Sequence, residues 1–147
     1  MIWDDGSLTM AARGCDDEGV GVLSRKVLVV DDDDVIREVA KLALEVVGGW
    51  QVSTAANGVD AGHAAELDPP DVVLLDVMMP GLDGPGTAAL LQANRVTREV
   101  PVIFMTAKTA LADTGLESVP NAVGVISKPF DPMVLAAEIN RLTGWSA

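Results

Sequence analysis

Four short apolar runs along the chain each stop at a polar residue capable of chemistry. Residues 27–30 stop at Asp31 and Asp32, 72–75 at Asp76, 102–105 at Thr106, and 123–126 at Ser127 and Lys128. Runs this short and this apolar read as strands buried on both faces, the form that parallel sheets take. Helical spacing fills the intervals. Residues 34–47 carry Val35, Val39, Leu42 and Val46 at that spacing, with Asp34 in N-cap position and Gly48-Gly49 as the stop. Residues 50–55 predict a second strand, and 58–67 an alanine-rich helix closed by Pro69-Pro70. A turn-rich stretch, 79–85, leads to a helix over about 87–94 and a strand over 100–105. Residues 110–118 predict a short, frayed fourth helix, because Gly115 interrupts it and Pro120 follows. Asp131-Pro132 opens a last helix that ends near Gly144.

Strand and helix thus alternate five times, which predicts an α/β fold: a (βα)5 doubly wound, five-stranded parallel sheet with helices on both faces. In that architecture the polar ends of all the strands emerge at one edge, the carboxyl edge, where open α/β sheets place their sites. The 147 residues suit one domain with a real core. No apolar stretch approaches membrane-spanning length, so a cytoplasmic protein without membrane contact is expected. A net charge of −12 argues against nucleic-acid binding, which calls for a basic face. Residues 1–24 hold Trp3 and Met10 among five carboxylates and four glycines, and are expected to form a disordered acidic tail ahead of a domain over 25–147. The tail has no signal-peptide pattern. Its Cys15 is the chain's one cysteine and has no disulfide partner or metal-ligand spacing.

Asp31, Asp32 and Asp76 offer hard oxygen ligands at the mouth of the sheet. Crowded carboxylates repel and raise one another's pKa, so the cluster calls for a cation; Mg²⁺ and the Lys128 ammonium both fit. An aspartate beside Mg²⁺ can attack a phosphoryl group, and the charge that develops needs the metal, an ammonium and a hydroxyl around it. Asp76, Lys128 and Thr106 meet that description. Asp33 reads as a solvated loop residue, Asp83 as a turn former, and the single histidine, His63, as a surface or packing residue.

Taken in order, Val-Leu-Val-Val-Asp31-Asp32, Leu-Leu-Asp76-Val-Met-Met-Pro80-Gly-Leu-Asp-Gly84, Phe-Met-Thr106-Ala107-Lys and Ser-Lys128-Pro129-Phe130 resemble the receiver domain of two-component response regulators over residues 26 to about 142. The resemblance implies a flavodoxin-like strand order 2-1-3-4-5 and a role for each matching residue. Asp76 aligns with the phosphoryl acceptor, Asp32 with a direct Mg²⁺ ligand and Asp31 with its acidic neighbour. The Met78 carbonyl aligns with the remaining protein ligand. Thr106 aligns with the hydroxyl that turns toward the phosphoryl group, Ala107 with the small residue beside it, and Lys128 with the lysine that pairs with a phosphoryl oxygen. A cis Lys128-Pro129 bond is also implied.

The implied partners are a sensor histidine kinase or histidine phosphotransfer protein as donor and a downstream protein as target. A homodimer through the fourth helix, last strand and last helix is a further expectation. Because the chain stops about three residues after the last helix, it resembles a stand-alone receiver, a signalling module that catalyses only its own phosphorylation and dephosphorylation. Two features depart from the pattern. Val125 stands where relatives carry Tyr or Phe, which removes the usual aromatic switch. Residues 119–122, Val-Pro-Asn-Ala, replace a commoner Ala-Gly-Ala-like turn. Lys108 and Met78 border the phosphoryl pocket in relatives and are expected to modulate hydrolysis. The alternative is a pseudo-receiver or scaffold that works without phosphorylation. An acid-nucleophile phosphatase is a weaker reading, since no second carboxylate follows two residues after Asp76.

Overall fold

The computed structural model describes residues 25–107 and 119–145. The amino-terminal tail with Cys15, Lys108 and the expected fourth helix lie outside the described residues. Five strands, β1 (Lys26–Val30), β2 (Gln51–Ala55), β3 (Val72–Asp76), β4 (Val102–Ala107) and β5 (Ala122–Lys128), form one parallel sheet in the order β2-β1-β3-β4-β5. Four helices accompany them among the described residues: α1 (Asp34–Val46), α2 (Gly58–Leu67), α3 (Gly84–Ala93) and α4 (Leu135–Thr143). This is the flavodoxin-like order that the resemblance implies, in the doubly wound parallel sheet that the alternation of strands and helices predicts. The chain starts at β1, steps outward to β2, then crosses back to β3, so its direction of winding reverses between β1 and β3.

The two faces follow from strand alternation. Val27 and Val29 of β1, Val72 and Leu74 of β3, and Ile103 and Met105 of β4 pack on Ala40, Ala43 and Leu44 of α1 and on Leu135, Ala136 and Ile139 of α4. Leu28, Val30, Val73, Leu75 and Phe104 face the other way, onto Ala61 and Ala65 of α2 and Ala88 and Leu91 of α3. β3, the central strand, is buried at every position. Each large side chain placed in this way contributes about 1.5–3 kcal/mol. At the amino edge of the sheet, Trp50 and Trp145 meet edge to face with centroids 5.9 Å apart, and the Arg25 guanidinium lies 4.3 Å from the centre of the Trp145 ring.

Several boundaries and faces differ from expectation. Helix α1 lies where its spacing predicts, but Val35, Leu42 and Val46 are exposed, while Ile36, Ala40, Ala43 and Leu44 pack on the sheet. The helix is apolar on two faces. Periodicity alone does not select between them; alanine at 40 and 43 does, by letting the helix axis approach the strands. The N-cap of α1 is Asp33 rather than Asp34: its Oδ1 accepts from the Val35 and Ile36 amides at 2.8 and 3.3 Å. Asp34 is the first helical residue and pairs with Arg37 one turn on. Asp83 does more than fix a turn, since it caps α3 by accepting from the Gly86 amide at 2.8 Å, and α3 starts at Gly84, earlier than expected. The last helix begins at Leu135, because residues 131–134 are spent in a turn in which Asp131 Oδ1 accepts from the Met133 amide. α1 stops where Gly49 takes a φ of 71°, a conformation costly for any residue with a Cβ.

The cap assignment is testable by chemical denaturation. Asp33→Ala is expected to lower stability by about 1 kcal/mol, the usual cost of a lost N-cap, and Asp34→Ala by clearly less. Equal losses, or a larger loss at Asp34, would overturn the assignment.

Candidate functional site

Asp31 directly follows β1 and Asp76 ends β3. These strands are neighbours, registered Val30 to Leu75, so the two carboxylates stand side by side where the winding reverses. Asp31 is wholly buried and Asp76 nearly so, while Asp32 is exposed at the rim. The carboxylates of Asp31, Asp32 and Asp76 each offer an oxygen within 4.8 Å of the others. Lys128, the last residue of β5, reaches across β4 into the cluster. Its Nζ lies 2.7 Å from Asp31 Oδ2 and 3.0 Å from Asp76 Oδ1.

The backbone fixes the acids as firmly as the lysine does. Asp31 Oδ1 accepts from the Asp33 amide at 2.9 Å, and the Asp31 carbonyl accepts from Arg37 Nη1 at 2.6 Å. Sequence reasoning missed Arg37. Its available signal was the three-residue spacing from Asp34, which puts both on one helical face. Asp76 Oδ1 also accepts a long bond, 3.4 Å, from the Met78 amide. Gly84 is required here: a Cβ at that position would lie 2.6 Å from the Asp76 carbonyl, so only glycine lets α3 start against the acid's own backbone.

Among the other residues singled out from sequence, Thr106 is buried in β4, one position beyond the Asp76–Met105 pair. Its hydroxyl contacts the Ala107 carbonyl at 3.4 Å and bonds neither Asp76 nor Lys128. The Met78 side chain is exposed at the rim, with 70% of its surface in solvent. The Lys128-Pro129 bond is cis, as the resemblance implies. His63 is exposed on α2, apart from the acidic cluster. Val125 pairs with Phe104 in register and packs against the core on the α2–α3 side.

Burial raises the Asp76 carboxyl above its ordinary 3.8, and the Asp31 charge raises it further. Hydrogen bonding and charge from Lys128, and the Met78 amide, oppose the rise without cancelling it. Burial alone would lower Lys128, but its hydrogen bonds and charge contacts with Asp31 and Asp76 outweigh that, and it is held above its ordinary 10.5. The site therefore has more negative charge than one ammonium satisfies. Three carboxylate oxygens close together, two from buried residues, are a donor set suited to a hard divalent cation, and Mg²⁺ fits them.

The sequence profile of the response regulator receiver domain matches residues 27–140. The chain belongs to the response regulator receiver family. Receivers of this family are phosphoaccepting signalling modules of two-component systems, working with histidine kinases and downstream effectors. This receiver is 42% identical over 116 residues to the transcriptional regulatory protein CseB of Streptomyces coelicolor, an alignment covering 79% of the chain and 48% of CseB. The chain thus spans about half the length of that relative. Among solved structures, it is similar to the chemotaxis protein CheY4 of Vibrio cholerae, with a TM-score of 0.74, 30% identity, and coverage of 82% of this chain and 99% of the other. It is also similar to the receiver domain of the sensor histidine kinase PA1611 of Pseudomonas aeruginosa, whose structure has a magnesium ion coordinated in the active-site cleft. That similarity has a TM-score of 0.71 at 29% identity and covers 83% of this receiver and 99% of the other chain. Among the described residues, no helix is long and apolar enough to cross a membrane.

The raised Asp76 pKa has a sign that can be tested. Between pH 3.8 and the raised value the native state holds more protons than the unfolded one, so this group's contribution to stability falls as pH rises. Lys128 acts in the alkaline range: its contribution is present below 10.5 and is lost as pH climbs through its raised value. In metal-free buffer at pH 7, Asp76→Asn is expected to have a higher urea midpoint than the parent, and the gap should close below pH 3.8. Superimposable urea curves at both pH values would contradict this account.

Proposed function

We propose that Asp76 of this receiver accepts a phosphoryl group from the phosphohistidine of a sensor kinase or phosphotransfer protein, and that Asp31, Asp32, Asp76 and the Met78 carbonyl hold Mg²⁺ for that step. The observation that carries the reading is the three-carboxylate cluster with Lys128 bridging Asp31 and Asp76 at 2.7 and 3.0 Å. An Asp76 oxygen attacks phosphorus, the P–N bond to the donor imidazole breaks, and the imidazole leaves with its electron pair. Lys128, already in contact with Asp76, is placed to meet the charge on the phosphoryl oxygens. Bound Mg²⁺ would neutralise part of the same charge. Thr106 and Ala107 border the pocket, and the Thr106 hydroxyl, tied only by a long contact to its neighbour's carbonyl, is free to turn toward the new group.

The output is altered docking of a downstream protein, driven by the charge and the strong acceptor oxygens that phosphorylation adds at the carboxyl edge. With Val125 in the aromatic position, a large side-chain swing has no occupant there, and the response rests on Thr106 and the segment that follows it. That valine is also what favours the second reading, a pseudo-receiver or scaffold that works without phosphorylation.

Intact mass after incubation with acetyl phosphate separates the two. One phosphoryl adduct is expected in Mg²⁺; it should disappear on chelation and in Asp76→Asn. Failure to form it, also with a panel of histidine kinases, would leave the scaffold reading. Mg²⁺ is further expected to stabilise the unphosphorylated fold, by about 1.4 kcal/mol at ten times its dissociation constant.

A further inference from the structure

Two of the three acids in the cluster are held directly. Asp31 is gripped through both carboxylate oxygens, one by Lys128 and one by the Asp33 amide, and Asp76 by Lys128 and, more loosely, by the Met78 amide. Asp32 has no such support: its exposed carboxylate has no hydrogen-bond or ion-pair partner among the described residues. Yet an oxygen of Asp32 lies within 4.8 Å of those of Asp31 and Asp76. With nothing holding the side chain itself, its direction depends on the backbone that carries it.

That backbone is the peptide between Asp31 and Asp32, just past the end of β1. No backbone amide among the described residues bonds its carbonyl. The Arg37 guanidinium does so instead, Nη1 donating to the Asp31 carbonyl oxygen at 2.6 Å. Through Nη2 the same guanidinium pairs with Asp34 in the first turn of α1, and only 18% of the Arg37 side chain is exposed. A planar group held at two points is a stiff support. Because the atoms of a peptide are coplanar, fixing the carbonyl also fixes the plane from which Asp32 leaves the chain.

We propose that Arg37 is a positioning residue for Mg²⁺: by holding the carbonyl of the Asp31–Asp32 peptide it sets the direction of Asp32 and so completes the donor set of the cluster. The inference rests on the Mg²⁺ reading of this site and adds to it a residue outside the donor set. It also opposes what the charge of Arg37 would do. A cation near the cluster repels Mg²⁺, so charge alone makes the loss of Arg37 tighten metal binding. Loss of a support for Asp32 weakens it. The two accounts differ in sign.

Isothermal titration calorimetry of the unphosphorylated full chain with Mg²⁺ separates them. Arg37→Met keeps the stem and removes the donors; it is expected to raise the Mg²⁺ dissociation constant about tenfold, the scale usual for groups that hold a metal's ligands. Arg37→Lys, which returns a donor, should stay within about threefold of the parent. In an Asp32→Asn background, Arg37→Met should add less than about twofold, because residues that act through one ligand are not additive. A dissociation constant unchanged or lowered by Arg37→Met, equal weakening in both backgrounds, or no recovery with lysine would each overturn the proposal while leaving the Mg²⁺ reading in place. A parent chain that binds no Mg²⁺ would overturn that reading and the proposal together.

Discussion

Asp31 and Asp76 lie at the ends of adjacent strands, buried and close, and like charges in such a setting repel far more strongly than in water. The Lys128 ammonium between them offsets that repulsion, and the geometry of the carboxyl edge follows from its position. To be there, the lysine must end β5 two strands away from β3, so the β3-β4-β5 order is part of the charge balance as well as of the core. Slipping β5 by one residue would turn Lys128 to the other face of the sheet and leave the two acids facing each other. The apolar pairing of Phe104 with Val125 and Met105 with Ile126 therefore fixes the site's electrostatics from below.

The backbone on either side of the acids is also committed. Asp31 uses its carbonyl on Arg37 and one carboxylate oxygen on the Asp33 amide, and Asp33 in turn caps α1. Asp76 has Gly84 pressed against its carbonyl, while the Gly84 amide bonds to Val77 and Asp83 caps α3. Each acid is thereby joined to the start of a helix within a few residues. This is an economical way to hold buried carboxylates in one geometry, because the helix termini need acceptors and the acids need donors.

The sheet was legible because four of its five strands are short, largely apolar runs that stop at polar residues, a pattern with few other readings. The site was legible for the same reason: in a parallel sheet, residues that end successive strands meet, so Asp31, Asp76 and Lys128 could be brought together without knowing any distance. Thr106 was placed at the correct edge, but its hydroxyl contacts neither of them. What stayed hidden depended on single rotations or single residues. Val35, Leu42 and Val46 trace a regular helical stripe, as does the Ile36, Ala40, Ala43 and Leu44 set, and only packing shows which turns inward. Asp33 and Asp34 are chemically equivalent candidates for a cap, and the extended backbone at 33 decides between them. Arg37 was passed over because its role is to a backbone carbonyl, a partner with no identity in sequence.

The charge balance at the carboxyl edge also bears on how a receiver without an aromatic switch can respond. Lys128 divides its hydrogen bonds between Asp31 and Asp76, two acceptors whose demands on it change with the charge each carries. Under the proposed function, phosphorylation gives Asp76 new acceptor oxygens, and a cation bound by Asp31 reduces that residue's need for the ammonium. Both changes draw Lys128 in the same direction, toward Asp76. Since Lys128 ends β5 and is followed directly by the turn into α4, a shift there has a covalent route to the surface. That route does not pass through residue 125, so the loss of an aromatic side chain at that position removes one means of output without disconnecting the site from the fold's exterior.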